Sequence, residues 1–213
     1  MDKQGTASGR TNALAELYRF PPDRMRAAFR VLNKFMVAMF RLGLGSYVGG
    51  NPYTGYIMVI TTTGRRSGLP RRTPVNYALG NNEVYCLAGF GSRSDWYRNV
   101  LASPNVQVWI GRRGWAGRAE TMTDPAEWMP IYRQIARRAG FADRAFTKEA
   151  ISELSDERLL RVGAEGPVIR IRLDKELPRS EGPGDLAWLW LVVGITFAAG
   201  WLAGRRGSKK SGD

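Results

Sequence analysis

The sequence predicts a mainly β protein, a small antiparallel barrel with flanking helices, followed by a hydrophobic C-terminal helix. Short apolar runs alternate with turn residues between positions 56 and 121, which is typical of antiparallel strands. Few helical patterns interrupt these runs, and a late strand-like run at 168–173 closes the series. At 213 residues and 44% apolar composition, the chain is long enough for one globular domain with extensions.

The N-terminal part divides into two predicted segments. Residues 1–22 are expected to be flexible, and 23–45 to contain an amphipathic helix with Asp23 as its N-cap. Apolar residues recur at three- and four-residue steps, while arginines and a lysine lie mostly on other faces. We expect this helix to pack on its own domain; the alternative is a basic helix lying on a membrane surface.

The barrel domain is predicted at 50–175. Asn81-Asn82 is a candidate hairpin turn, and Thr123 or Asp124 is a candidate cap for a helix that begins at Pro125. The predicted strands are 56–62, 72–79, 83–88, 106–110, 115–121 and 168–173, and the predicted helices are 95–102 and 125–139.

The C-terminal part contains a linker at 178–185 and then an uncharged stretch at 186–203, followed by a basic tail at 204–213. Eighteen residues without a charge, with tryptophans towards both ends, predict a transmembrane helix at the short limit of length. The alternative is a buried or re-entrant helix, since Gly194 and Gly200 lie within it. The expectation is therefore a cytoplasmic domain anchored to the membrane by its C-terminal helix.

Composition excludes several classes of active site. The chain has no histidine, which removes His-based triads and His metal sites, and no metal ligand set is predicted. The single cysteine, Cys86, lies in an apolar run and is expected to be buried in a strand. A formal charge of +13 predicts an anionic partner, and the excess of arginine favours bidentate capture of phosphate or carboxylate.

Residues 61–76 form the most informative motif, Thr-Thr-Thr-Gly-Arg-Arg-Ser-Gly-Leu-Pro-Arg-Arg-Thr-Pro-Val-Asn. Its arginines surround a turn built from Gly64, Ser67 and Gly68, and such a turn can aim backbone N–H groups and guanidinium groups at one anion. It has neither P-loop nor dinucleotide-binding spacing. A helix start at 95–99, Asp-Trp-Tyr-Arg-Asn, offers further N–H donors and two aromatic rings.

These motifs, together with Ala-Gly-Phe-Gly at 88–91 and Pro-Asn-Val-Gln-Val at 104–108, resemble the deazaflavin-dependent nitroreductase family. Its members are F420H2-dependent quinone and nitro reductases with a split β-barrel fold. The resemblance covers about 50–140 and implies coenzyme F420, a deazaflavin that carries a phosphate and an oligoglutamate tail. Such an anionic ligand would explain why arginines are clustered in this motif.

The resemblance also implies roles for individual residues. The phosphate or the tail would be held by Arg65, Arg66 and Ser67, and the strand beside the deazaflavin would be formed by Arg71, Arg72, Thr73, Pro74, Val75 and Asn76. Other cofactor contacts would be made by Leu87, Ala88, Gly89 and Phe90. The pocket would be completed by Asp95, Trp96, Tyr97, Arg98 and Asn99.

The chain departs from the family pattern in two places. Arg66 replaces a frequent lysine, and Gly89 and Phe90 lack the hydroxyl or amine that some relatives carry there. Tyr97 and Ser92 are the remaining candidates for protonating a product. No catalytic side chain is then obligatory, because the cofactor carries the chemistry.

Three functional hypotheses follow. The first is an F420H2-dependent oxidoreductase that transfers a hydride to a quinone or nitro acceptor, with a membrane quinone favoured by the predicted anchor. The second is an FMN- or haem-binding split-barrel protein. The third is a membrane-tethered basic module without catalytic activity that binds anionic lipid or nucleic acid, although the sequence lacks the aromatic–basic repeats of single-strand binders, and no nucleic-acid partner is expected. A homodimer is compatible with all three.

Overall fold

The computed structural model describes residues 13–197. In this part of the chain the dominant element is an antiparallel sheet. Its strands agree closely with the runs that the sequence predicts, and the last strand continues four residues beyond the predicted 168–173. The strands are β1 Gly50–Asn51, β2 Gly55–Thr63, β3 Pro70–Leu79, β4 Glu83–Leu87, β5 Asn105–Ile110, β6 Arg113–Thr121 and β7 Val168–Leu177.

Six of these strands close into a barrel in the order β2-β3-β4-β7-β6-β5. Closure comes from the antiparallel pairing of β2 with β5, in which Thr61 lies opposite Gln107. The two-residue β1 adds to the free end of β2. Because every long strand has two neighbours, the barrel leaves few unpaired edges. The predicted class, a split β-barrel with flanking helices, is confirmed.

The barrel core forms because alternate strand residues point inward. Met58 and Ile60 of β2 are fully buried there, together with Cys86 of β4. The outer face of β2 is also buried, since Val59 packs against Met36 of the second helix. This double burial explains why β2 reads as a nearly continuous apolar run.

Besides the helical residues at 189–197, seven α-helices lie outside the barrel within the described residues. The sequence predicts three of them: the N-terminal helix, the helix at 95–102 and the helix after Pro125. The other four are short or lie in segments for which no element was predicted. The helices are α1 Ala13–Leu17, α2 Pro22–Arg41, α3 Gly45–Val48, α4 Asp95–Ala102, α5 Pro125–Arg137, α6 Phe141–Phe146 and α7 Asp156–Glu165.

The long helix α2 packs on the barrel, as the first interpretation of its pattern expects. Met36 and Phe40 are buried against Trp109 of β5. Its N-cap is Pro21, and Asp23 lies in the first turn without a capping hydrogen bond, so the predicted cap at Asp23 is wrong. Proline at the first helical positions already removes a donor that would otherwise need a partner.

A second apolar cluster joins α1, α5 and α7 to the outside of β7. Asp124 caps α5 by accepting a hydrogen bond from the Ala126 N–H, as one of the two predicted caps requires. Leu14 and Leu17 of α1 are buried in this cluster, which places a helix within the segment that the sequence predicts to be flexible.

The predicted transmembrane anchor at 186–203 is wrong. Among residues 13–197, no helix has the length and the apolar character needed to cross a membrane. Residues 186–188 form a turn and helical residues begin at 189, so the described helical part, 189–197, spans only about 14 Å. The indole of Trp190 donates to the Leu42 carbonyl oxygen (3.0 Å), which ties this segment to the domain. Residues 198–203 lie outside the described part of the chain.

Candidate functional site

The arginine-rich turn joins β2 to β3 at one end of the barrel. The Gly64 N–H donates to the Leu69 carbonyl oxygen at 2.9 Å, and the N–H groups of Ser67 and Gly68 donate to the Gly64 carbonyl oxygen. Gly68 has φ +67°, a conformation that glycine adopts without strain. The backbone donors of this turn are thus largely used within the protein, so an anion here must be bound mainly by side chains.

A cleft of about 850 Å³ opens beside this turn. Its walls come from α2, the turn with the start of β3, and α4, and its volume suits a cofactor-sized ligand. Five arginines line it, against one acidic residue, Asp95. The lining residues are Val37, Arg41, Gly64, Arg65, Arg66, Ser67, Pro70, Arg71, Arg72, Thr73, Asp95, Trp96 and Asn99.

Arg65 is held by the protein itself. Its guanidinium donates to Asp95 Oδ1 (3.1 Å) and to Asn99 Oδ1 (3.1 Å), and its backbone N–H donates to the same Asn99 oxygen (3.2 Å). The buried Asn99 amide in turn donates to Thr62 Oγ1 at 3.2 Å. Arg65 therefore fastens the turn to α4 and to β2.

Arg66 and Arg71 are exposed and have no such partner. Within residues 13–197, neither guanidinium lies within ion-pair distance of a carboxylate, and Arg71 makes only a long contact to Ser67 Oγ (3.4 Å). A guanidinium without a protein counter-ion is free to bind an external anion bidentately. These two side chains are the available cations at the mouth of the cleft.

The remaining two arginines share one carboxylate. Arg41 at the end of α2 binds Asp185 with a shortest contact of 2.7 Å, and Arg72 of β3 lies 3.6 Å from the same carboxylate. The hydrogen bond that Arg41 donates to Asp185 lowers the pKa of the Asp185 carboxyl below its ordinary value.

A second pocket of about 470 Å³ lies beside the start of α4. Trp96 lines the first cleft and its neighbour Tyr97 lines the second, so α4 contributes to both. The Tyr97 hydroxyl lies 3.2 Å from Thr121 Oγ1. The lining residues are Leu14, Ala15, Tyr18, Gly89, Phe90, Ser92, Arg93, Tyr97, Ala164, Glu165 and Pro167.

Tyr18 supplies a hydroxyl to this second pocket. It follows α1, and its oxygen donates to the Gly89 carbonyl oxygen at 2.5 Å. Burial raises the pKa of the Tyr18 hydroxyl, so the phenol stays neutral at ordinary pH. Gly89 and Phe90 lack a polar side chain, and Tyr18 brings one to their position from a distant part of the sequence.

The structure brings most of the predicted cofactor residues to these two pockets. Nine line the first cleft: Arg65, Arg66, Ser67, Arg71, Arg72, Thr73, Asp95, Trp96 and Asn99. Gly89, Phe90, Tyr97 and the candidate Ser92 line the second. Pro74, Val75, Asn76, Leu87, Ala88 and Arg98 line neither; Val75 and Ala88 are buried in the barrel core.

Sequence reasoning missed the contribution of the N-terminal helices. Val37 and Arg41 are four residues apart on α2 and present one face to the first cleft. That spacing was visible in the sequence, but it did not indicate which part of the barrel the helix covers. Nothing near Tyr18 in the sequence indicated its place beside Gly89.

Fold and cleft together define a small barrel protein with an arginine-lined cleft. Residues 34–151, more than half of the chain, match the family described as F420H(2)-dependent quinone reductase. The chain belongs to this family, which makes it an F420-dependent oxidoreductase.

Three of the solved structures with similar folds are described as having different functions. An F420-H2 dependent reductase is 24% identical, with coverage of 54% of this chain and 92% of that chain and a TM-score of 0.39. A putative 5-nitroimidazole antibiotic resistance protein from Bacteroides thetaiotaomicron is 16% identical (57% and 75%, TM-score 0.43). A haem storage protein from Vibrio cholerae is 14% identical (56% and 82%, TM-score 0.41). Likenesses at this level assign no ligand to this chain.

The first cleft fits the charge of coenzyme F420. A phosphate and several carboxylates need guanidinium partners that are not already neutralised, and Arg66 and Arg71 meet that condition within the described residues. The excess of positive charge along the lining also attracts an anion from a distance. Residues of the cleft can therefore hold the group that the family implies.

Proposed function

We propose that this protein is a quinone reductase that binds F420H2 through the arginine-lined cleft and passes a hydride to a quinone-type acceptor. The observation that carries the proposal is the pair of unneutralised guanidinium groups, Arg66 and Arg71, at a cleft of about 850 Å³ in a chain of this family. When bound, reduced F420 supplies the hydride. The protein supplies binding, orientation and exclusion of water.

Each arginine of the turn has its own part in this proposal. Arg66 and Arg71 bind the phosphate or the glutamate carboxylates of the cofactor. Arg65 acts as a positioning residue, because its guanidinium is occupied by Asp95 and Asn99 and holds the turn in place. Trp96 lines the same cleft and, although only 8% exposed, can contact a planar ring there.

The second pocket is the proposed place of the acceptor. Its lining includes Tyr18, Phe90 and Tyr97, and this aromatic lining suits a flat, neutral molecule such as a quinone. The proximity of Phe90 and Tyr18, with ring centroids 5.7 Å apart, gives this pocket one aromatic wall. Nitro compounds share the flat shape and the acceptor oxygens, and they are the second substrate class to test.

Turnover measurements test the proposal directly. F420H2 is mixed with the protein and a water-soluble quinone or a nitroaromatic, and the return of oxidised F420 is followed by absorbance. We expect oxidation that depends on both protein and quinone. Arg66→Ala/Arg71→Ala should raise KM for F420H2 with little change in kcat, because it removes binding that ground state and transition state share.

A matched control removes two arginines that line neither pocket. Arg112 and Arg118 are exposed, so Arg112→Ala/Arg118→Ala lowers the net charge equally without touching the cleft. Its kinetic constants should equal those of the unmodified protein. Absence of F420H2 oxidation with every acceptor, or equal KM values for the two double variants, would contradict the proposal.

A further inference from the structure

A carboxylate from the C-terminal segment lies on two of the cleft arginines. Asp185 accepts from Arg41 Nε with both oxygens (3.1 Å each) and from Arg41 Nη2 at 2.7 Å. Arg72 Nη1 lies 3.6 Å from Asp185 Oδ1. Both arginines line the cleft, one from α2 and one from β3, so one carboxylate joins the two walls.

Two further hydrogen bonds fix the segment that carries Asp185. The Leu186 N–H donates to the Arg41 carbonyl oxygen (2.9 Å), and the Trp190 indole donates to the Leu42 carbonyl oxygen (3.0 Å). A Cβ at Gly43 would lie 3.3 Å from the Ala187 Cβ, which shows how closely the chain passes. The two hydrogen bonds use carbonyl groups that the end of α2 leaves without helical partners. Residues 185–190, called the strap below, are thus seated on the end of α2.

We infer that Arg41 and Arg72 form a carboxylate-binding site at the edge of the cleft, and that the strap fills it with Asp185 until a carboxylate of the cofactor takes its place. This inference rests on the proposed function, since the competing ligand is the glutamate tail of F420. Asp185 and the glutamate tail of F420 thus compete for the guanidinium groups of Arg41 and Arg72.

The contacts of Asp185 are weak enough for a ligand to displace it from Arg41 and Arg72. Its side chain is 41% exposed, and the strap is held by this ion pair and two hydrogen bonds rather than by buried apolar surface. Partly exposed ion pairs are weak, so a ligand with several charges can displace one. Loss of the Asp185 contacts should therefore strengthen F420 binding by about two- to tenfold.

Calorimetric titration of oxidised F420 into four full-length proteins tests the inference. Asp185→Asn removes the competing charge, and Asp174→Asn removes an equal charge from an exposed position of β7 that lines neither pocket. Trp190→Phe releases the strap without any change in charge, because it deletes only the hydrogen bond to Leu42. Competition predicts tighter binding for Asp185→Asn, about twofold tighter binding for Trp190→Phe, and no change for Asp174→Asn.

Hydrogen exchange gives a readout that does not depend on affinity. F420 should speed exchange at the Leu186 N–H of the unmodified protein, because displacement of Asp185 frees the strap from Arg41. Equal or weaker F420 binding by Asp185→Asn, or slower exchange at Leu186, would show that Asp185 positions the arginines and would overturn the inference. In that case F420 binding by the unmodified protein leaves the proposed function intact. If none of the four proteins binds F420, the proposed function fails and the inference fails with it.

Discussion

Asn99→Ala should destabilise the whole domain, although residue 99 lies beside the ligand cleft. Asn99 is 4% exposed, and its side chain makes three hydrogen bonds: two accepted from Arg65 and one donated to Thr62 Oγ1. Water can replace Asn99 at the exposed Arg65. It cannot easily reach the Thr62 hydroxyl, since Thr62 is only 1% exposed.

The expected loss is about 2–3 kcal/mol of unfolding free energy, from one buried hydroxyl without its partner and the cavity left by the amide. For a domain of this size the melting temperature should fall by about 4–12 °C. Urea unfolding should show a lower midpoint with an unchanged slope. Arg66→Ala is the control, because an exposed side chain without a protein partner should change stability by less than about 0.5 kcal/mol.

A double-mutant cycle with Thr62→Val isolates the interaction. Each single change leaves one buried polar group without a partner, and Asn99→Ala/Thr62→Val removes both groups. The double variant should therefore be more stable than the sum of the single losses predicts, by about 0.5–1.5 kcal/mol. Strict additivity, or an Asn99→Ala protein as stable as Arg66→Ala, would refute the view that Asn99 links α4 to the barrel through Thr62.

Three further predictions concern other parts of the chain. Cys86 should react with thiol reagents only after unfolding, because it is fully buried and burial raises the pKa of its thiol; labelling in native buffer and in urea checks this. Gly163→Ala should lower the unfolding free energy by about 1–3 kcal/mol in urea titrations, because its Cβ would overlap the ring of Trp128. The lowered pKa of the Asp185 carboxyl stabilises the fold above its ordinary pKa of 3.8, and this contribution is lost as pH falls through the lowered value. The stability advantage over Asp185→Asn should thus shrink as the pH is lowered from about 5 to about 3 in urea titrations.

The barrel was predictable because its signals are local. Alternating burial and turn residues such as Asn82, which has φ +57°, define each strand and hairpin without reference to the rest of the chain. Helix α4 was predicted with the bounds it has, since Asp95 begins it and Ser103-Pro104 ends it. Helix α7 was missed because its few apolar residues form a short pattern that becomes meaningful only when the helix packs on α5.

The candidate site was predicted less completely, for a different reason. The composition of the arginine turn predicts an anion site, but composition does not show which guanidinium is already paired. Arg65 and Arg66 are adjacent and chemically identical, yet one is held by Asp95 and Asn99 and the other is free for a ligand. The contributions of Arg41, Tyr18 and Asp185 depend on contacts between residues far apart in the sequence, which no local motif records.

The C-terminal stretch shows how an apolar run can mislead. Eighteen uncharged residues satisfy a length rule for membrane spans, but the rule ignores where the helix begins. Here the chain turns at 186–188, and the Trp190 indole donates to Leu42.

Titration of F420 into the Arg66→Ala/Arg71→Ala protein tests the central claim most directly. Two lost guanidinium contacts of about 0.7–1.4 kcal/mol each predict an affinity about 10- to 100-fold lower than that of the unmodified protein. Added salt should weaken F420 binding by the unmodified protein more than F420 binding by the variant. The Arg112→Ala/Arg118→Ala protein should bind F420 like the unmodified one. Equal affinities for all three proteins would contradict the claim that this cleft holds the anionic part of the cofactor.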